Sequence, residues 1–222
     1  MPINEEIAAF ADEMGQWRRD IHAHPETAFE ETRTSDIVAD KLASFGIEVH
    51  RGLAKTGVVG TLSEGHSNRA IGLRADLDAL DVHEENTFDH VSTHPGKMHA
   101  CGHDGHTAML LGAAKYLAET RRFNGTVRFI FQPAEENEAG GRVMCEEGLF
   151  DLFPVEAVYG MHNQPGLPLG QFGARVGAAM AAADMFTITV TGRGSHAAHP
   201  HQGEDPILTG AEMVSALQRI VS

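Results

Sequence analysis

A short segment between residues 98 and 107 is dense in side chains that can bind a metal ion. It contains Cys101 and His103, separated by one glycine, with His99 and His106 on either side. A thiolate and imidazoles are strong zinc ligands, and the glycine permits the turn that would aim Cys101 and His103 at one place. A lone histidine is more often a surface or hydrogen-bonded residue, and a short loop cannot direct every side chain to one ion. Whether His99 and His106 bind a metal or only lie nearby therefore stays open.

Two adjacent carboxylates, Glu135 and Glu136, form a second group that could do chemistry. Consecutive residues after a strand point in different directions, so one carboxylate could bind a metal while its neighbour holds the attacking water. A metal lowers the pKa of bound water from about 15.7 to about 7, and a positioned carboxylate can pass the proton to a leaving nitrogen. The alternative is a solvated acidic turn, because Glu138 and the pair at 146–147 make this region acidic in any case.

Polar side chains follow three of the apolar runs that predict strands. Asp76 comes after the run at 70–74, the glutamate pair after 126–131, and His162 after 155–160. In open α/β sheets ligands bind beyond the carboxyl ends of the strands, so these groups would converge on one crevice. Taken singly, each acidic residue could instead cap the helix that follows it.

The elements that must position these residues alternate between helical and strand-like patterns. Apolar residues recur at helical spacing from Asn4, a candidate N-cap, to about Ile21, again from 31 to 45 before Gly46, and at 107–117. Short apolar runs predict four strands, the first two as neighbours and the last two buried, at 57–62, 70–74, 126–131 and 155–160. Strands that alternate with helices predict an α/β fold with a largely parallel sheet.

The pattern changes near the segment Gly166-Leu-Pro-Leu-Gly170, which is the candidate domain boundary. An alanine-rich stretch then leads into a strand-like segment of alternating character at 184–191. A histidine-rich loop follows at 196–201, and a helix is predicted from Pro206 to Ser222.

Composition limits the expected partners. The 222 residues carry a formal charge of −14 and are 42% hydrophobic, as in an ordinary globular protein. The negative charge repels phosphate backbones and anionic lipid surfaces, so we expect no nucleic-acid or membrane partner. The first residues lack the basic and apolar regions of a signal peptide, and no apolar run reaches about 18 residues. We therefore expect a cytoplasmic protein in which Cys101 and Cys145 form no disulfide.

Five motifs in this order resemble the M20 metallopeptidase family, most closely its amidohydrolase branch of hippurate, N-acyl-amino-acid and auxin-conjugate hydrolases. They are Arg74-Ala-Asp-Leu-Asp-Ala-Leu80, Met98-His-Ala-Cys-Gly-His-Asp-Gly-His-Thr107, Phe131-Gln-Pro-Ala-Glu-Glu136, Met161-His162 and Gly192-Arg-Gly-Ser-His-Ala-Ala-His-Pro200. The likeness runs from Trp17 to the end of the chain. It implies a layered catalytic domain with a mostly parallel central sheet at 1–175. The first part of a smaller α+β lid or dimerisation domain would occupy 176–222.

The resemblance also implies a role for individual residues. Cys101 would bridge two divalent metal ions, and the terminal ligands would be His103, Glu136 and His162. Glu135 would act as general base and then as general acid, while Asp76 would orient a ligand without touching the metal. His196 would lie on the lid and reach a partner subunit's active site to steady the oxyanion or the substrate carboxylate, which implies a homo-oligomer formed through the lid. The alternative for His196 is a loop histidine beside Gly194.

The implied reaction is metal-dependent hydrolysis of the amide bond in N-acyl amino acids or related small acyl-amine conjugates. The donor set suits zinc, and manganese, cobalt or nickel also stay open. Family members place a further metal-binding histidine near the end of a much longer chain, so we expect these 222 residues to be a fragment.

Two alternatives to this enzyme stay open. One is a truncated, catalytically inactive relative that binds metal or serves as an interaction module. The other is a cysteine hydrolase with Cys101 as its nucleophile, which would leave the glutamate pair and His162 without a function.

Overall fold

The computed structural model describes residues 4–181 and 184–221. The chain forms two compact units, which divide between Gln171 and Phe172. The predicted domain boundary, after residue 175, lies close to this division. That the two units are a catalytic domain and a lid domain stays a prediction.

The described part of the first unit is built from helices and strands in alternation. Its helices are α1 (Glu5–Ala8), α2 (Ala11–Ala23), α3 (Thr32–Ser44), α4 (His103–Thr120), α5 (Gly140–Glu146) and α6 (Leu149–Leu152). Its strands are β1 (Glu48–Leu53), β2 (Gly57–Glu64), β3 (Ala70–Asp76), β4 (Gly125–Gln132) and β5 (Ala157–Gly160). The predicted α/β class is confirmed.

The strands form one mixed sheet in the order β1-β2-β4-β3-β5. β3 pairs in parallel with β4 and β5, whereas β2 pairs antiparallel with β1 and β4. The prediction that β2 and β3 are neighbours is wrong, because β4 lies between them and its Phe131 pairs with both Val58 and Ala75. The parallel pair β3 and β4 is joined through α4, the crossover helix that such a pairing requires.

β4 shows how the sheet is covered on both faces. Val127, Phe129 and Phe131 pack into a core with residues of α2, α3 and α4. Ile130 packs on the opposite face, in a smaller cluster that includes Met144 of α5. Successive side chains of a strand point to opposite faces, so alternate residues of β4 meet the two clusters. The larger cluster takes a face of the strand that is wholly apolar, whereas the other face also carries polar side chains.

Other predicted elements differ from the structure locally. The helix predicted from Asn4 to Ile21 is broken at Phe10. The backbone angles of this buried residue (φ −115°, ψ 20°) are not helical. β5 was predicted as a buried strand, but Val158 and Tyr159 are 43% and 59% exposed. That prediction is wrong because β5 lies at the edge of the sheet and pairs only with β3 among the described residues.

The second unit contains a 3-10 turn at Pro200–Gln202 and the predicted final helix, α7 (Pro206–Val221). The strand predicted at 184–191 is wrong, because these residues pair with no strand in the described part of the chain. The unit has a single β-bridge among its described residues, between Arg193 and Glu204. An alternating pattern forms a strand only where a second segment accepts its backbone hydrogen bonds. None of the helices described in either unit is long and apolar enough to cross a membrane.

Candidate metal and catalytic site

Three neighbouring parallel strands bring the predicted site residues to one edge of the sheet. β4, β3 and β5 lie side by side and run in the same direction, so their carboxyl ends meet. His103, at the start of α4, is common to three groups whose possible ligand atoms lie within 4.8 Å of one another. The groups are Cys101 with His103 and His162, His103 with Glu135 and Glu136, and Asp76 with His103 and His106.

The turn between Cys101 and His103 requires glycine. Gly102 has φ 93°, and a Cβ atom there would lie 2.5 Å from the side-chain oxygen of Asn163. Helix α4 then begins at His103, earlier than the predicted start at 107. His103 and His106 therefore lie on its first turns, where both are buried.

Cys101 and His162 form the more accessible side of the site. The Cys101 Sγ atom lies 3.3 Å from His162 Nε2. His162 Nδ1 lies 2.6 Å from the carbonyl oxygen of Asn163, an acceptor, so Nδ1 carries the proton that it donates. Its Nε2 therefore has a lone pair next to the thiol, as a metal ligand needs.

His103 and Glu136 form the buried side. His103 Nδ1 donates to Asp78 Oδ1 at 3.2 Å, so Nε2 faces the carboxylates of Asp76, Glu136 and Glu135 at 3.6, 3.7 and 3.9 Å. Within the described chain, His103 Nε2 and Glu136 Oε1 are buried and have no hydrogen-bond partner. Buried polar atoms are nearly always paired. An imidazole nitrogen and a carboxylate oxygen left facing each other in this way fit a divalent cation.

The electrostatics of the site favour bound positive charge. Burial and the carboxylate of Glu136 raise the pKa of the Cys101 thiol to about 12. Burial opposes protonation of His103, but the hydrogen bond to Asp78 and the charge of Asp76 raise its pKa overall. A free Cys101 thiolate is therefore disfavoured, which argues against a cysteine nucleophile, whereas a cation next to the sulfur would stabilise its anionic form.

Asp76 and His106 connect β3 to the segment that carries His162. Asp76 accepts from His106 Nδ1 at 2.6 Å and from Arg74 Nη1 at 2.7 Å, and the backbone N–H of Asn163 donates to His106 Nε2 at 3.0 Å. Burial acts to raise the pKa of Asp76, but these partners lower it to about 2. His106, which the sequence left open as a bystander, thus lies within the site with both ring nitrogens hydrogen-bonded.

The sequence did not assign a role to Asp78. One of its oxygens accepts from His103 Nδ1, and the other accepts the backbone N–H of Glu136 at 2.9 Å. Asp78 thus makes the hydrogen bond that orients His103, and the predicted orienting role of Asp76 stays a prediction. The alternation of an extended chain could have indicated Asp78, because residues two apart point to the same side.

His99 and His196, two histidines that the sequence singled out, lie outside the ligand groups found among the described residues. His99 is buried, both of its ring nitrogens lack a partner there, and burial lowers its pKa to about 4, so it is neutral at pH 7. His196 belongs to the second unit, where it is exposed and its Nδ1 accepts the backbone N–H of Ala198 at 3.1 Å. Its predicted catalytic role stays a prediction.

Residues 72–222 match the sequence profile of peptidase family M20/M25/M40. The chain therefore belongs to this family. It is similar to a hippurate hydrolase of Campylobacter jejuni, with 46% identity over 222 residues, which cover 100% of the chain and 58% of that relative. It is also similar to an N-acyl-L-amino acid amidohydrolase of Geobacillus stearothermophilus, with 46% identity over 225 residues, 98% of the chain and 60% of that relative. The family assignment suggested by the five motifs is confirmed.

A solved structure supports the same relationship. A dinuclear metal-binding M20 peptidase of Bacillus subtilis matches with a TM-score of 0.72 and 42% identity, over 76% of this chain and 47% of that one. The chain thus spans about half to three fifths of the length of the relatives that it matches.

Proposed function

We propose that this chain carries the metal centre of an amidohydrolase that cleaves the amide bond of N-acyl amino acids or related acyl-amine conjugates. The observation that carries the proposal is the convergence of a thiol, two imidazoles and two carboxylates at the carboxyl ends of β3, β4 and β5. The hippurate hydrolase and the N-acyl-L-amino acid amidohydrolase to which the chain is similar support this class of substrate.

Four residues would hold the metal: Cys101, His103, Glu136 and His162. The unpaired His103 Nε2 and Glu136 Oε1 atoms, and the Nε2 atom of His162 beside the thiol, support this set. A mixed sulfur, nitrogen and oxygen set suits zinc, and manganese, cobalt and nickel are the other candidates. We propose two divalent ions, because Cys101 lies beside His162 in one group of donors and His103 faces the glutamates in another. Such ions supply Lewis acidity for the amide carbonyl and acidify water.

Glu135 is the proposed proton carrier. Its side chain is 42% exposed, whereas that of Glu136 is 17% exposed, so the two neighbours differ in their access to solvent and substrate. Glu135 Oε2 lies 3.9 Å from His103 Nε2, beside the proposed ligands. From there it can accept a proton from water and deliver it to the leaving nitrogen. His196 is proposed, from the family resemblance, to assist from the lid of a partner subunit in a homo-oligomer.

The test is hydrolysis by the full-length protein after metal depletion and reloading with zinc or manganese. Substrates are N-benzoylglycine and a panel of N-acetyl amino acids, and elemental analysis gives the metal content. Glu135→Gln should lower kcat by about 10²- to 10⁴-fold, the usual contribution of a general acid-base group, with unchanged metal content.

Glu138→Gln is the matched control, because Glu138 is an exposed glutamate of the same loop. It should keep wild-type kcat. Wild-type turnover by Glu135→Gln would refute the role of Glu135. No turnover of any substrate by the metal-loaded full-length protein would instead favour a non-catalytic metal-binding relative.

A further inference from the structure

Glu31 is a buried carboxylate that the proposed mechanism does not use. It directly precedes α3, is 0% exposed, and belongs to none of the ligand groups in the described chain. Its Oε1 atom accepts the backbone N–H of Ala134 at 2.8 Å, and its Oε2 atom accepts the hydroxyl of Thr56 at 2.7 Å. The carboxylate therefore joins the start of α3 to the residue immediately before Glu135.

The turn at Ala134 needs such support. Ala134 has φ 51°, a left-handed conformation that is unfavourable for a residue with a Cβ atom. Its carbonyl oxygen accepts the backbone N–H of Gly140 at 2.8 Å, which closes the loop that carries the glutamate pair. A Cβ atom on Gly140 would lie 1.9 Å from the carbonyl oxygen of Pro133, so the closure tolerates only glycine there. Strained backbone of this kind persists only where its surroundings determine it.

Two buried carboxylates hold this loop from different parts of the chain. Glu31 accepts the amide of Ala134, and Asp78 accepts the amide of Glu136. Glu135 lies between these two fixed points. Its side chain can remain partly exposed while its backbone is held on both sides.

A simple helix-capping role does not explain the Glu31 carboxylate. The first amides of α3, at Arg33 and Thr34, donate to the side chain of Glu26 at 2.9 and 2.8 Å. The side chain of Glu31 is directed at Ala134 and Thr56 instead. Burial raises its pKa, against the opposing effect of these hydrogen bonds. Burial of this carboxylate costs free energy, and its hydrogen bonds to Ala134 and Thr56 account for its position.

We propose that Glu31 is a positioning residue for the general base, acting through the backbone amide of Ala134 to fix the start of the Glu135 loop. This inference rests on the proposed function of Glu135. It assigns to Glu31 no contact with substrate or metal.

Two substitutions separate hydrogen bonding from charge and packing. Gln at residue 31 can accept from Ala134 through its oxygen and donate from its amide group to the Thr56 hydroxyl, which can also accept. Glu31→Gln should therefore keep kcat within about threefold of wild type. Leu has a similar volume and neither polar atom, so Glu31→Leu should lower kcat by about 10²-fold, the loss expected for a misplaced catalytic group, with little change in KM.

Amide hydrogen exchange provides a readout that does not depend on turnover. In Glu31→Leu the amides of residues 134–136 should exchange faster than in wild type, with and without added zinc, while those of β4 remain protected. Glu26→Leu is the control, since it removes comparable hydrogen bonds from α3. It should lower the Tm but leave kcat and the exchange of 134–136 unchanged.

The outcomes distinguish this proposal from the proposed function. If the full-length wild type hydrolyses no acyl amino acid, the function fails, and hydrogen exchange still decides the role of Glu31. A folded, metal-loaded Glu31→Leu protein with wild-type kcat and exchange would overturn the role of Glu31 alone. If Glu31→Leu does not fold, Thr56→Val replaces it, because it removes only the hydroxyl that orients Glu31. It should cause a smaller, several-fold loss of kcat, and no loss would overturn the proposal.

Discussion

Replacing Asp78 by asparagine should weaken metal binding without unfolding the protein. In the wild type its two oxygens accept from His103 Nδ1 and from the amide of Glu136. Asparagine offers one acceptor and one donor, so only one of these bonds can persist as it is. If the oxygen stays with the Glu136 amide, the NH₂ group faces His103 Nδ1, which must then accept. The proton of a neutral ring moves to Nε2, and a protonated Nε2 cannot bind a metal.

The size of the effect follows from the burial of Asp78 and from its two partners. Loss of a carboxylate that orients a histidine ligand typically weakens metal binding by about 10- to 100-fold. This corresponds to roughly 1.4–2.8 kcal/mol of binding free energy. The Asp78 side chain is 0% exposed, so water cannot replace the lost bond. We therefore expect a loss near the upper end, about 100-fold.

Titration calorimetry of Zn²⁺ and Mn²⁺ into chelator-treated protein measures this loss. Asp81→Asn is the matched control, because Asp81 follows closely in sequence and is exposed. It should bind metal as wild type does, and circular dichroism should show that both variants are folded. Wild-type affinity in folded Asp78→Asn would refute the reasoning, and so would an equal loss in Asp81→Asn.

Two further predictions concern stability. Gly102→Ala should lower the free energy of unfolding more than Gly96→Ala. Both glycines have positive φ (93° and 80°), which costs alanine about 1–2 kcal/mol of strain. Among the described residues, a side chain lies within reach of the new Cβ at residue 102 and none does at residue 96. Urea unfolding that shows equal costs would contradict this. His22 has a raised pKa, because the hydrogen bond to Asp104 and then that to Glu84 outweigh burial. The stability that protonated His22 contributes is complete below pH 6.5 and declines as the pH rises through the raised pKa. His22→Gln should therefore lower the free energy of unfolding by roughly 3 kcal/mol at pH 6 and by less at pH 9. If urea unfolding shows an equal loss of unfolding free energy at both pH values, the protonated form of His22 does not stabilise the protein.

The convergence of the site could be predicted because it depends on local order along the chain. Each group of polar residues directly follows an apolar run, and parallel strands carry whatever follows them to one edge. The strand order could not be predicted in the same way. β4 enters between β2 and β3 through contacts that are distant in sequence, and no local pattern records them.

Buried acidic residues are the part of the site that sequence patterns hide. Glu30 and Glu31 are adjacent and identical in type, yet Glu30 is exposed and Glu31 is 0% exposed. Their difference is set by Ala134, about a hundred residues further along the chain. Asp78 likewise gains its role from partners on α4 and after β4. A pattern of residue types cannot distinguish a solvated carboxylate from one that accepts two buried hydrogen bonds.

The mixture of parallel and antiparallel strands explains how the proposed ligands and base, and the residues that support their loop, reach the same edge of the sheet. The parallel strands β4, β3 and β5 carry the proposed ligands and the proposed base after their carboxyl ends. Because β2 is antiparallel to β4, it begins at the edge where β4 ends, with Val58 opposite Phe131. Thr56, just before β2, therefore lies level with the turn at Ala134, where Glu31 can bind both. The antiparallel strand β2 thus supports the loop that the parallel strands position, because β4 lies between β2 and β3.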